Sequence, residues 1–147
     1  MRRRPGGRRF GALVHAVLAA ADLSGGDQDL VRVAASRARL LGASPEETTA
    51  AVTAARAALS HALFRRAAAS RELRRETPVL IRLPDGSLAE GTLDLAFREE
   101  AGWIVVDFKT DAEISTERRR YEGQLRLYVR AVREATAQPV SGVLLSV

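Results

Sequence analysis

Two aspartates stand where aspartates are costly. Asp94 and Asp107 each follow apolar residues late in segments that read as strands. A carboxylate carried into a sheet is unfavourable unless its charge is compensated. Two of them at adjacent strand ends repel unless they share a proton or a cation. A divalent cation resolves that conflict, and ligation by oxygen, with or without an imidazole, suits a hard ion such as Mg²⁺ or Mn²⁺. Lys109 follows Asp107 by two residues, so in an extended segment both side chains leave the same face. Two acids, an ion and an ammonium in one pocket suit phosphodiester hydrolysis. The ion lowers the pKa of a bound water and neutralises charge growing on the phosphoryl oxygens, while the amine orients the water and stabilises the transition state. Asp107-x-Lys109 is also the spacing of a simple strand-end salt bridge, and spacing alone does not separate the two.

Composition sharpens the question. The 23 basic residues are 22 arginines and the single lysine Lys109, and asparagine is absent. Where only positive charge is needed the chain uses arginine, so the retained lysine points to a place that needs a compact ammonium on a narrow stem rather than a planar fork. The 147 residues, 46% hydrophobic and 28% charged, predict one globular domain over residues 1–147, mostly helical over 1–75 and a sheet core with a crossover helix over 76–147. The chain has no cysteine, which excludes disulfides, thiolate zinc sites and iron–sulfur clusters built from it and makes the cytoplasm the default compartment. Its longest apolar runs, 12–21 and 140–147, are interrupted or too short for a spanning helix of roughly 20 residues, so no membrane partner is expected. A net charge of +5 favours a polyanionic partner weakly. The bias is concentrated in Arg2, Arg3, Arg4, Arg8 and Arg9 and again in Arg118, Arg119 and Arg120, runs that taken alone read as a solvated tail and a solvated helix face.

The elements that must position these groups can be read from periodicity. Phe10, Leu13, Val14, Val17 and Leu18 recur at helical spacing over 9–23, before Ser24-Gly25-Gly26, and His15 lies on this helix. A second helix is predicted over 28–41, closed by Gly42. Ser44-Pro45-Glu46-Glu47 reads as an N-cap, a first-turn proline and a glutamate three residues after the cap, opening a helix to about residue 61 with a continuation or second helix through 75. The period then changes: 77–83 and 88–97 read as a hairpin about Pro84-Asp85-Gly86-Ser87, and 103–108 as a strand buried on both faces. Tyr121, Leu125, Tyr128 and Val132 form one stripe of a helix over 115–134, with Gln124 beside it. Residues 140–147 read as a last strand, parallel to its neighbour across the helix.

The ordered blocks Glu90-Gly91-Thr92-Leu93-Asp94, Trp103-Ile104-Val105-Val106-Asp107-Phe108-Lys109-Thr110 and Tyr121-Glu122-Gly123-Gln124-Leu125-Arg126-Leu127-Tyr128 resemble the RecB-type branch of the PD-(D/E)XK nucleases. More specifically they are similar to the nuclease domain at the C-terminus of AddA-like and UvrD-like bacterial helicase-nucleases. Gly11-Ala12-Leu13-Val14-His15 resembles that branch's G-x-x-x-H element. The resemblance spans residues 11–147. It implies an α/β fold of the restriction-endonuclease-like type, a helical N-terminal part followed by a mixed sheet of three antiparallel strands, a helix crossover and a fourth strand. It further implies His15, Asp94 and Asp107 as ligands of Mg²⁺ or Mn²⁺ with the Phe108 backbone carbonyl, and Lys109 as the catalytic lysine. Gln124 and Tyr128 match a Q-x-x-x-Y element that orders the site or approaches DNA, with Tyr121 preceding them on the same face. Glu76, before Thr77-Pro78, resembles a recurring E-x-P feature.

The implied activity is a metal-dependent deoxyribonuclease, an exonuclease leaving 5′-phosphate and 3′-hydroxyl ends. It would act on a single-stranded DNA end fed by a helicase motor, in recombination or double-strand break repair. No G-x-x-x-x-G-K-[ST] loop occurs in the chain, so the motor is expected on the rest of a parent polypeptide or on a partner subunit. The chain thus reads as an excised or standalone nuclease domain. The alternative is a nuclease fold that binds or positions DNA without cutting it. His61 has no motif support and is read as structural.

Overall fold

The computed structural model describes residues 5–147, so Arg2, Arg3 and Arg4 of the basic start lie outside the described residues. The chain divides into a helical unit ending at Ala68 and a sheet unit, Ala69–Ser146.

In the helical unit α1 is Arg8–Ala20, α2 Asp27–Leu41, α3 Pro45–Leu59 and α4 Ala62–Ala68. The apolar stripe of α1 (Phe10, Leu13, Val14, Val17, Leu18) is buried, and it packs with the small-residue faces of α2 (Leu30, Ala34, Ala38) and α3 (Ala51, Val52, Ala54, Ala55, Ala58). Alanine stripes let helices approach closely at little side-chain entropy. Ser44 Oγ accepts the Glu47 backbone N–H at 3.1 Å, as the capping spacing predicts. The Glu47 carboxylate, however, turns to Arg9 of α1 instead of closing a capping box. Gly42 closes α2 in the left-handed conformation. The first helix ends at Ala20, before the expected glycine stop, because Asp22 gathers the next turn: its Oδ1 accepts Ser24 N–H at 2.9 Å and its carbonyl accepts Gly25 N–H at 3.0 Å. His61 is structural, as expected: Nδ1 accepts the Leu63 N–H at 3.1 Å at the start of α4.

The sheet unit has strands β1 (Glu72–Arg82), β2 (Leu88–Glu99), β3 (Gly102–Lys109) and β4 (Val140–Ser146), in that spatial order. The β1–β2 and β2–β3 pairs are antiparallel and β3–β4 is parallel, joined across helix α5 (Asp111–Thr136). This is the mixed α/β architecture expected. Strand β3 is buried along nearly its whole length, as its apolar run requires. Two boundaries differ from expectation. Helix does not continue to residue 75: Glu72 to Arg75 pair with Arg98 to Leu95, and this cross-strand pairing overrides a local composition that favours helix. Helix α5 begins four residues earlier than the expected start at 115, because Thr110 and Glu113 form a complete capping box. It is kinked at Glu117 (φ −136°, ψ 37°). Leu125, Tyr128, Ala131 and Val132 of α5 pack on Ile81, Leu93, Ala96, Trp103 and Val105 of the sheet. Gly142 of β4 gives α5 room there, since a Cβ would come within 2.7 Å of Val129. No helix among the described residues is long and apolar enough to cross a membrane.

Candidate active site

The sheet is irregular where the chemistry was expected. Leu93 and Ala96, three residues apart, both join the cluster under α5, although strict alternation would put them on opposite faces. The pleat is therefore reset at Asp94. The pairs Arg75–Leu95 and Thr77–Leu93 place Glu76 directly across from Asp94, and Glu76 has a left-handed φ of 47°. Matching irregularities on both strands keep the register and re-aim the side chains between them. Asp94 is thus mid-strand rather than late in β2.

On the other side of β2 the ladder to β3 stops at Leu95–Val106. A side chain supplies the next link: the Phe108 N–H donates to Asp94 Oδ2 at 2.8 Å. Continuing the register by one residue sets Asp94 opposite Asp107. In an extended strand the N–H and C=O of one residue face the same neighbour, so the Phe108 carbonyl also faces β2, at the point where the ladder has opened.

Asp107 is 3% exposed, the buried charged residue among those described. Its Oδ2 lies 3.7 Å from Lys109 Nζ, beyond the 2.7–2.9 Å of a charge-assisted hydrogen bond. The expected convergence of these two side chains on one face is therefore present. The Lys109 ammonium sits over the ring of Tyr121, 4.6 Å from its centroid, within cation–π range. One helical stripe further, Tyr128 is buried against the same acids. Burial pushes its phenol up, and the negative charges of Asp107 and Asp94 add to this, while a backbone hydrogen bond with Thr92 works the other way. Burial likewise raises Tyr121, helped by Glu113 and Glu117.

The fit of Tyr128 depends on a residue whose role sequence reasoning missed. A Cβ on Gly91 would lie 2.6 Å from a ring carbon of Tyr128 and 3.0 Å from Ile81, so the bare backbone of β2 admits the tyrosine. The available signal was a glycine inside a strand pattern, which marks a close approach. Gln124 is half-buried on α5, one turn before Tyr128. His15 is half-buried on α1, in the helical unit. Arg118, Arg119 and Arg120 are exposed on α5, with Arg118 paired to Glu122 and Arg120 to Glu117.

The donor set of the sheet unit is hard oxygen: two carboxylates on neighbouring strands and a carbonyl facing the gap between them. No group of three or more His, Asp or Glu side chains among the described residues could by itself hold a metal ion. Two carboxylates with water and a substrate phosphate nevertheless match the way Mg²⁺ is usually held, since it seldom occupies an all-protein cage. The donors fit a hard divalent ion that completes its shell from outside the protein.

Comparison with known proteins agrees with the motifs. The profile of the PD-(D/E)XK nuclease superfamily matches residues 2–147. The chain is 32% identical over 123 residues to an ATP-dependent helicase/nuclease subunit of Geobacillus kaustophilus, covering 67% of this chain and 10% of that protein. It is 32% identical over 101 residues to the protein of the same name from Geobacillus thermodenitrificans, covering 52% and 8%. With that of Carboxydothermus hydrogenoformans it shares 47% identity over 57 residues, covering 36% and 5%. The chain therefore spans a tenth or less of the length of these relatives.

Proposed function

The chain belongs to the PD-(D/E)XK nuclease superfamily, and from that premise we propose that it is the nuclease module of a helicase-nuclease, a cytoplasmic, metal-dependent exodeoxyribonuclease working in recombination or double-strand break repair. Its substrate is a single-stranded DNA end, delivered by a motor on the same polypeptide or on a partner subunit. The observation that carries this reading is the juxtaposition of buried Asp107, the Lys109 ammonium at 3.7 Å and Asp94 bonded to the Phe108 N–H, at the opened end of a ladder.

In this reading Asp94, Asp107 and the Phe108 carbonyl hold Mg²⁺ or Mn²⁺. When bound, the ion supplies an acidified water and a counter-charge for the phosphoryl oxygens. Asp94 spends one oxygen on the Phe108 N–H, which fixes the β3 backbone and with it the direction of the Phe108 carbonyl. Lys109 orients the attacking water and offsets charge developing on the phosphate. Tyr128, its phenol kept neutral by burial and by the two acids, closes the inner wall, and Gln124 orders the same helix face.

The test is cleavage of end-labelled single- and double-stranded DNA with Mg²⁺, Mn²⁺ or EDTA, by wild type and Lys109→Ala. Expected is ion-dependent product from single-stranded ends, abolished by EDTA and reduced at least about 10²-fold in the variant. Equal rates for the two proteins would refute the role of Lys109. DNA binding with a steep salt dependence and no product under any condition would favour a non-cutting clamp.

A further inference from the structure

Resting on the reading of Lys109 as the catalytic amine, we propose that Tyr121 is its positioning residue, the aromatic face that holds the ammonium beside Asp107 without letting it close on the carboxylate. Lys109 is the last residue of β3, on a flexible stem, with a side chain only 15% exposed. An ammonium so close to a buried carboxylate would by itself collapse to a hydrogen-bonded pair of 2.7–2.9 Å. It stands instead at 3.7 Å from Asp107 Oδ2 and 4.6 Å from the centre of the Tyr121 ring. The ring draws the cation face-on and shares it with the acid. That sharing keeps the ammonium from closing over Asp107 and holds Nζ at a fixed place.

The ring is itself braced. The Tyr121 hydroxyl donates to Glu117 Oε2 at 3.3 Å, and Arg120 grips the same carboxylate at 3.1 Å. Glu117 is the residue at which α5 kinks, so the non-helical turn and the ring's anchor coincide. This also accounts for the chain's one lysine. A guanidinium at the same position would make a bidentate fork onto Asp107, whereas an ammonium can be shared between an acid and a ring.

Because Lys109 is the only lysine, growth on ε-¹³C-lysine gives one labelled side-chain resonance, readable without DNA or metal. In wild type the Lys109 ε-protons should lie upfield of free lysine through the ring current of Tyr121. Tyr121→Phe should keep that shift, and Tyr121→Leu should return it to the free-lysine position, with fluorescence of the single tryptophan, Trp103, reporting that each variant is folded. In the cleavage assay Tyr121→Leu should lower kcat on the order of tenfold at unchanged KM, with Tyr121→Phe near wild type. A folded Tyr121→Leu protein whose lysine resonance stays at the wild-type position, or which cleaves at the wild-type rate, overturns the proposal. A wild type that cuts nothing while its resonance still follows the ring sinks the nuclease reading instead and upholds the contact.

Discussion

In the helical unit the ion pairs Arg9–Glu47, Arg32–Asp29 and Arg56–Asp27 keep their arginines in solvent, 53%, 78% and 52% exposed, with acids 16%, 24% and 61% exposed. In the sheet unit Asp107 and Lys109 face each other with side chains 4% and 15% exposed, at a longer separation than a hydrogen bond. The exposed pairs tie one helix to another or one turn to the next, and water screens them. The buried pair gains little as a structural device, because desolvating both charges offsets their attraction. An interior charge that the sheet must bury at a cost is the kind of group the proposed chemistry calls for. The contrast teaches that burial, not the presence of a partner, sets Asp107 apart from the paired acids of the helical unit.

The sharpest way to break that contrast is to neutralise one acid of each kind. Asp107→Asn should lower metal-dependent cleavage at least about 10²-fold, with a melting temperature no lower than that of wild type, since it removes a buried charge. Glu47→Gln should leave cleavage within twofold. If thermal melting and end-labelled cleavage rank the two variants alike, burial is not the discriminating property. Next in size is the glycine that admits Tyr128. Gly91→Ala places a methyl 2.6 Å from the Tyr128 ring, so the ring must move. Overpacking of this kind costs about 1–3 kcal/mol, read as a lower urea midpoint at unchanged slope, and cleavage should fall with it. An unshifted midpoint would mean that the close contact carries no strain.

The two units also differ in how far their residues announced them. Ser44-Pro45 and Gly42 fixed helix ends in advance because a cap is a local bond, satisfied by the next few residues. Asp22 and Thr110 were equally local signals that the apolar periodicity masked, so the end of α1 and the start of α5 were misplaced by several residues. The start of β1 could not be read locally at all, since Glu72 to Arg75 are held extended by residues 95–98. At the site, the Asp107–Lys109 relation followed from strand alternation. The reset at Asp94, the left-handed Glu76 and the Gly91–Tyr128 contact are products of cross-strand and helix-on-sheet packing, to which neighbouring residues carry only an indirect clue. The Tyr121 ring reaches Lys109 only because α5 folds back onto the sheet.

A smaller effect distinguishes the units by pH from the alkaline side. The Tyr128 phenol is held above its ordinary 10.0 by burial and by Asp107 and Asp94. In the unfolded chain it ionises first, so the folded state binds more protons above pH 10 and loses stability as pH rises. Below pH 10 that contribution is fully present, and it disappears as pH climbs through the raised value. Urea unfolding of wild type and Tyr128→Phe should therefore converge from neutral pH towards strongly alkaline pH. A stability difference that stays constant across that range would show that the phenol is not shielded.

The smallest effect belongs to the exposed pairs, at the opposite end of the scale. Glu47 is held below its ordinary 4.5 first by its hydrogen bonds with Arg9, and Asp27 below 3.8 first by its hydrogen bond with Arg56. Acids depressed in this way contribute stability above their unfolded pKa and lose it as pH falls through the folded value, so the window opens only below about pH 4.5. Because the arginine partners stand in solvent, the loss should be slight and should fade as salt shortens the screening length. Arg56→Ala should thus leave the melting temperature nearly unchanged at pH 7 in high salt, with a difference from wild type that shrinks further as the solution is acidified. A large, salt-independent drop would place this surface pair in the same class as Asp107 and remove the distinction between the units.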